Sequence, residues 1–173
     1  MTDALIRSAR LEYRGLRLSD QPALHRIVSD WAVVRQLGAF PWPARPEFTA
    51  SRCVAFAGAG FVWGMILGGD LIGTVAVTKG ELGYCLAPAH WRQGLAYEAC
   101  GVALAAGFDG FPGDEILAHV WADNAGSLGL LAKLGFREIW RGLEYSKARA
   151  VETPSVTLAL NRTDWCCVPR AMP

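Results

Sequence analysis

An uncharged run of seventeen residues, 53–69, constrains this chain more tightly than any other stretch. It is apolar enough to suggest a membrane helix, yet it carries Gly58, Gly60, Gly64, Gly68 and Gly69. Each interior glycine costs a helix ~1 kcal/mol relative to alanine, and a membrane span needs about 20 apolar residues. The run therefore reads as a helix end, a turn and a strand. Its second half has a partner directly downstream. Residues 61–67 and 71–78 are apolar runs joined by Gly68, Gly69 and Asp70, the pattern of a β-hairpin.

A hairpin of this kind needs a core to lie against, and the composition supplies one. The chain has 173 residues, 52% hydrophobic and 19% charged, enough for one domain that buries a core without disulfide or metal staples. Seventeen Lys+Arg against sixteen Asp+Glu leave a formal charge of +1, so no overall field draws nucleic acid. Cys53, Cys85, Cys100, Cys166 and Cys167 are odd in number and form no CxxC pair, which reads as thiols in a reducing compartment. His25, His90 and His119 lie far apart and none has zinc-ligand spacing to a cysteine. The first fifteen residues carry charges at short intervals and no apolar core, unlike a signal peptide. The expectation is a soluble, cytoplasmic protein with no metal, no nucleic-acid partner and no membrane association.

Around the hairpin, strands and helices alternate. Leu11, Tyr13, Leu16 and Leu18 predict a first strand within residues 9–18. Ser19 or Asp20 caps the next helix, with Pro22 in its first turn and Leu24, Ile27, Val28 and Trp31 as its apolar face. Residues 38–46 hold three prolines and cannot form a regular element, and a short helix over 46–56 follows. A strand at 81–86 ends before Pro88, and an Ala/Leu-rich helix runs from Gly94 to Phe108. After a strand at 115–122, Asp123 or Asn124 caps a helix that reaches Lys133 and stops at Gly135. Strands at 137–144 and 155–161 complete a single α/β (α+β) domain.

One glycine cluster is a decoy. Gly58-Ala59-Gly60-Phe61-Val62-Trp63 places a tryptophan where a dinucleotide fingerprint needs its third glycine. The segment also precedes a strand, where the fingerprint follows one.

The segment that carries chemistry is 81–99, a strand, a loop with Arg92 and Gln93, and a helix opening at Gly94. The first N–H groups of a helix lack intrahelical partners and sit at the positive end of its dipole. Gly94 and Ala96 let that backbone approach a bulky anion, as a pyrophosphate cradle requires. An ordinary strand–loop–helix connection has the same spacing.

A second segment distinguishes the two. Residues 119–136 form a strand, an Asn124 cap, Ser127 and a helix that ends in Leu134-Gly135-Phe136. Together the two segments resemble the GNAT superfamily of acyl-CoA-dependent N-acyltransferases. Its [Q/R]-x-x-G-x-[G/A] motif is matched by Trp91-Arg92-Gln93-Gly94-Leu95-Ala96, with Trp91 at the Gln/Arg position. The Rim-type branch, which acetylates N-terminal amines of ribosomal proteins, is the closer likeness. Its pattern is present as Gly83-Tyr84, Pro88, Trp91 to Ala99, and Asn124 with Ser127. The likeness covers residues 8–165 and leaves 1–7 and 166–173 as short extensions.

The resemblance implies a mixed, mostly antiparallel central sheet flanked by helices. It also implies acetyl-CoA as acyl donor, an amine acceptor (a protein N-terminus or a small molecule) and a homodimer as one assembly. Coenzyme A would be held by residues 91–96, Asn124 and Lys133, with Tyr84, Cys85 and Leu86 flanking the pantetheine arm. Trp31, Phe40 and Trp42 would line the acceptor groove, although all three also suit a core. Many members carry a tyrosine seven residues after this asparagine as acid for the leaving thiolate. Here that position is Leu131, and Ser127 becomes the group to hydrogen-bond the sulfur.

Four further residues carry assignments. Glu81 begins the strand that leads to the thioester and is the first choice of base, with a solvated strand-end carboxylate as the competing reading. Glu98 lies inside the helix and His119 on a strand face, both assigned structural roles. Cys85 is not needed as a nucleophile, since an amine attacks a bound thioester directly. The rival to an enzyme is an acyl-CoA-binding regulatory module without turnover on the same fold.

Overall fold

A computed structural model describes residues 6–110 and 112–167. The chain opens with two short strands, β1 (Ile6–Arg7) and β2 (Glu12–Gly15). Of the strand expected over 9–18 only residues 12–15 form: residues 8–11 make a turn in which Ser8 N–H bonds Leu11 C=O at 2.9 Å, and Leu18 already starts a short 3-10 helix, Leu18–Asp20. Helix α1 (Gln21–Val28) has Pro22 in its first turn as expected. Asp20 does not cap α1 with its side chain, because its carboxylate is committed to the Arg14 guanidinium and the Arg17 N–H.

Trp31 does not continue the apolar face of α1. That helix stops at Val28, Asp30 accepts from Ala32 N–H, and a new short helix α2 (Trp31–Val34) begins with Trp31 exposed. Helix α3 (Pro46–Arg52) is shorter than the sequence suggested.

The hairpin is β3 (Gly60–Leu67) and β4 (Asp70–Thr78). Its turn is Gly68–Gly69, both at positive φ (59° and 94°), which matches the right-handed twist of the flanking strands. A second two-residue turn, Lys79–Gly80, also at positive φ, leads into β5 (Glu81–Leu86). Helix α4 (Leu95–Gly110), β6 (Glu115–Trp121), α5 (Ala125–Lys133), β7 (Arg137–Ser146) and β8 (Val151–Asn161) follow. A last helix, α6 (Arg162–Cys167), has no counterpart in the sequence reading.

All eight strands form one sheet in the order β1-β2-β3-β4-β5-β6-β8-β7. Every neighbouring pair is antiparallel except β5–β6. The main core lies on one face, where Ala99, Cys100, Ala103 and Leu104 of α4 meet Val75, Leu82, Leu86, Ile116, Val120 and Val156 of the sheet. Leu131 and Leu134 of α5 join it. Small residues on α4 bring that helix close, since a Cβ at Gly107 would stand 3.1 Å from both Ile116 and Val77 side-chain carbons. Helices α1 and α2 cover the opposite face, packing Ile27 and Val33 on Cys85. Among the described residues no helix is long and apolar enough to cross a membrane.

Gly73 fixes the spacing between β4 and β5. A Cβ there would lie 2.2 Å from the Cys85 carbonyl oxygen and 2.5 Å from Met65 Cε. Gly73→Ala must push β5 away and should cost about 1–3 kcal/mol, the usual range for overpacking. Denaturant titration checks this, and an unchanged midpoint would show that the sheet relaxes freely at this point.

Candidate active site

The site begins with a strand that loses its neighbour. β5 pairs with β4 along its whole length, from Glu81↔Thr78 to Leu86↔Gly73. With β6 it shares one register pair, Glu81↔Leu117, supported by Leu117 N–H bonding Gly80 C=O at 2.8 Å. Beyond that point the two strands diverge, while β6 stays paired to β8 from Glu115 to Trp121.

The direction of the freed groups follows from strand geometry. Ala87 N–H donates to Ile72 C=O on the β4 side at 2.8 Å. Main-chain groups alternate sides along a strand, so Cys85 and Gly83 also bond β4, whereas Leu82, Tyr84 and Leu86 turn theirs toward β6. Leu86 C=O is taken by Trp91 Nε1 at 2.7 Å. The Tyr84 N–H and C=O and the Leu86 N–H face the gap.

Side chains divide across the two faces. Tyr84 and Leu86 turn to α4, whereas Cys85 turns to α1 and α2. Cys85 is buried, its sulfur 3.3 Å from Thr74 Oγ1, and burial pushes its thiol above the ordinary range. It flanks the gap through its backbone and offers no accessible thiolate.

The loop after β5 is shaped for close approach. Arg92 and Gly94 both sit at positive φ (59° and 77°), and a Cβ at Gly94 would meet only the Arg10 guanidinium, at 3.4 Å. Gln93 Nε2 donates to Ala89 C=O at 3.0 Å. The first bond of α4 runs from Glu98 N–H to Gly94 C=O, which leaves the N–H groups of residues 94–97 without intrahelical partners. The Leu95 side chain lies in the core, so this residue presents only its main chain to the loop.

Glu98 holds this loop in place. It accepts from Ser8 Oγ (2.6 Å), Arg10 N–H (2.8 Å) and Arg10 Nε (2.7 Å), while Arg10 Nη1 donates to Gln93 C=O at 2.7 Å. Burial alone would raise its pKa, but the bonds from Ser8 and Arg10 outweigh it and hold the carboxyl below the ordinary glutamate range. Arg10 thereby places a cation beside Gly94. Sequence alone does not reveal this role of Arg10, because its partners lie more than eighty positions away.

Across the gap, Asn124 Oδ1 accepts from Ser127 N–H at 3.1 Å and caps α5. The cap uses the Ser127 backbone and leaves its hydroxyl free of that bond. Lys133 stands at the far end of this nine-residue helix, roughly 12 Å from the cap at 1.5 Å per residue. Leu131 is fully buried in the core.

The face toward α1 and α2 carries Glu81 and, next to it, His119. Glu81 Oε1 lies 3.8 Å from His119 Nε2, and His119 Nδ1 lies 3.1 Å from Thr157 Oγ1 on β8. His119 was assigned a structural role from sequence, and parallel pairing of β5 with β6 is what brings it to Glu81. The aromatic trio separates. Trp31 and Trp42 form an exposed pair with centroids 5.3 Å apart, whereas Phe40 packs edge-on to Phe48 against the Leu16–Leu24 cluster.

A clamp closes the end of β6. Asp123 accepts two bonds from Arg149 (2.9 Å each) and one from Arg35, and Arg149 Nε donates to Arg35 C=O at 3.0 Å. This joins the end of α2 to the β7–β8 turn, and no local sequence signal announced it.

Residues 10–137 match the acetyltransferase (GNAT) domain. The chain belongs to the GNAT acetyltransferase family. It is 36% identical over 76 residues to the uncharacterized N-acetyltransferase YoaA of Bacillus subtilis, a stretch covering 40% of this chain and 43% of that protein. The fold is shared with RimL, a ribosomal-protein alpha-N-acetyltransferase solved with coenzyme A (TM-score 0.76, 16% identity, 91% of this chain and 97% of that one). It is shared also with Mycobacterium smegmatis RimJ, solved with CoA-disulfide (TM-score 0.74, 21% identity, 89% and 83%).

The Asp123 clamp gives the site an acid limit. The Arg149 fork, with Arg35 behind it, outweighs partial burial and holds the Asp123 carboxyl at about 2. A depressed carboxylate stabilises the fold above its unfolded value of about 3.9, and this contribution is lost as pH falls through the folded value. Asp123→Asn should therefore melt below wild type at neutral pH, with the difference closing between about pH 4 and pH 2. Melting curves over that range check it, and a pH-independent difference would mean the clamp is held by something other than the charge.

Proposed function

We propose that this enzyme transfers an acetyl group from acetyl-CoA to a primary amine, a protein N-terminal α-amine or a small-molecule amine, by direct attack in a ternary complex. The observation that carries the reading is the open edge of β5, with the Tyr84 and Leu86 N–H groups directed into a gap that ends at the Gly94 loop. A pantetheine arm has amides that pair with such an edge as another strand would. Its pyrophosphate suits the free N–H groups at the start of α4, with Arg10 and Arg92 adding positive charge. RimL and RimJ were solved with coenzyme A or its disulfide, which supports the same ligand here.

The acceptor amine attacks the thioester carbon from the Glu81 face. The oxygen gains negative charge, which a β5 N–H already in place stabilises without reorganisation. As the tetrahedral intermediate collapses, the C–S bond breaks and the electron pair leaves on sulfur, to which the Ser127 hydroxyl at the first turn of α5 donates a hydrogen bond. The proton released by the amine passes to Glu81, with His119 beside it as the next acceptor. Trp31 and Trp42 flank the acceptor side, which suits a peptide N-terminus or another amine with apolar bulk.

A thiol-release assay with acetyl-CoA and a panel of amines, including peptides with free N-terminal Ala or Ser, tests the reading. Turnover with intersecting double-reciprocal lines is expected. Parallel lines or an acetyl group trapped on Cys85 would establish ping-pong chemistry instead. Gly94→Glu, which sets a carboxylate against the phosphates, should abolish coenzyme A binding in calorimetry. A folded Gly94→Glu protein with wild-type affinity would remove the cradle from the account.

The acceptor's own pKa grades the need for a base. An α-amine titrates near about 8 and a lysine near about 10, so Glu81→Gln should cost alkyl amines roughly tenfold more in kcat/KM than α-amines at neutral pH. Equal losses for both classes would show that Glu81 binds the acceptor and does not take its proton.

A further inference from the structure

Position 131, where many relatives have an acidic tyrosine, is a buried leucine, yet a different tyrosine hydroxyl stands unused beside the gap. Tyr84 turns its ring to the α4 side of β5, against the core, and its Oη is buried with no hydrogen bond. Buried hydroxyls in native proteins are nearly always bonded, and an unbonded one calls for a reason. Ser127 is the neighbouring hydroxyl, close enough to favour the ionised phenol.

We propose that Tyr84 is a positioning residue for the leaving sulfur: its hydroxyl, unbonded in the free protein, donates to Ser127 Oγ once coenzyme A is bound and so turns the Ser127 proton toward the thiolate. The inference rests on the acyl-transfer reading above and deepens it. A serine hydroxyl has one proton and two lone pairs. Left alone, it can aim that proton at backbone, at water or at sulfur. A donor on one lone pair removes the orientations in which the proton points back toward the ring.

Burial against α4, with the Cys100 thiol nearby, pushes the Tyr84 phenol above its ordinary range, so it stays neutral and keeps its proton. No proton transfers from Tyr84 in this arrangement. It differs in that respect from an acid tyrosine, and its cost to the apo fold is an unbonded hydroxyl. One residue of β5 then serves twice, its N–H toward the thioester and its phenol toward the leaving group through Ser127.

The test compares coenzyme A with desulfo-coenzyme A by calorimetry at about pH 9.5, where a substantial share of the thiol is ionised. It uses wild type, Tyr84→Phe, Ser127→Ala and the double variant. Wild type should prefer the thiol form by about tenfold, each single variant should erase most of that preference, and the double should lose no more. Affinity for desulfo-coenzyme A should be the same in all four. Tyr84→Phe should melt no lower than wild type, because it removes an unbonded hydroxyl. Its kcat should nevertheless fall roughly ten- to a hundredfold at nearly constant acetyl-CoA affinity. A Tyr84→Phe protein that keeps the thiol preference, or whose loss adds to that of Ser127→Ala, would overturn the inference and leave the acyl-transfer reading standing. A wild-type protein that binds neither ligand would overturn both.

Discussion

Strands β5 and β6 run parallel, and they share a single register pair before separating. A strand at the centre of a sheet normally has both edges satisfied by its two neighbours, because buried main-chain groups need partners. Here β5 satisfies its β4 edge completely and abandons the other after Glu81. The open groups are tolerable only where water or a ligand with its own amides can reach them. The gap also places the end of β5 next to the start of α4, so a hydrogen-bonding edge and a helix N-terminus meet around one cleft.

The rest of the molecule holds that cleft open. Antiparallel pairing of β6 with β8 anchors the far side. Glu98 ties residues 8–10 to the first turn of α4 and, through Arg10, to the loop at Gln93. Asp123 joins Arg35 and Arg149 across the end of β6. The sheet keeps the two chemistries apart, with Tyr84 and Ser127 on the α4 side and Glu81 and His119 on the α1–α2 side. In the proposed reaction, a donor arm entering from one face and an amine arriving from the other would meet at the strand edge between them.

Much of this was legible in the residues. The hairpin, β5, α4 and α5 announce themselves through glycine turns, an apolar run that Pro88 ends and an Asn124 cap, all of which act within a few residues. The Gly94 loop was legible for the same reason. What sequence did not reveal depends on contacts between distant positions. His119 looks like a surface histidine until parallel pairing places it 3.8 Å from Glu81. Arg10 looks like a loop arginine until Glu98, eighty-eight positions on, fixes it beside Gly94. Asp20 has the chemistry of a helix cap, but a stronger local partner in Arg14 takes its carboxylate. Trp31 fits the helical period of α1 and is removed from it by Asp30, which starts a new helix one residue earlier. Phe40 and Trp42, two residues apart, part company because one finds Phe48 and the other finds Trp31.

The central claim is that the β6-facing edge of β5 is a hydrogen-bonding surface for the acyl donor. Amide hydrogen exchange resolved to single residues, with and without saturating coenzyme A, tests it most directly. The Tyr84 and Leu86 N–H groups should exchange faster than that of Cys85 in the free protein, because only Cys85 is bonded to β4. Coenzyme A should slow Tyr84 and Leu86 selectively and leave Cys85 unchanged. Protection confined to the 91–97 loop, with Tyr84 and Leu86 as exposed as before, would contradict the account.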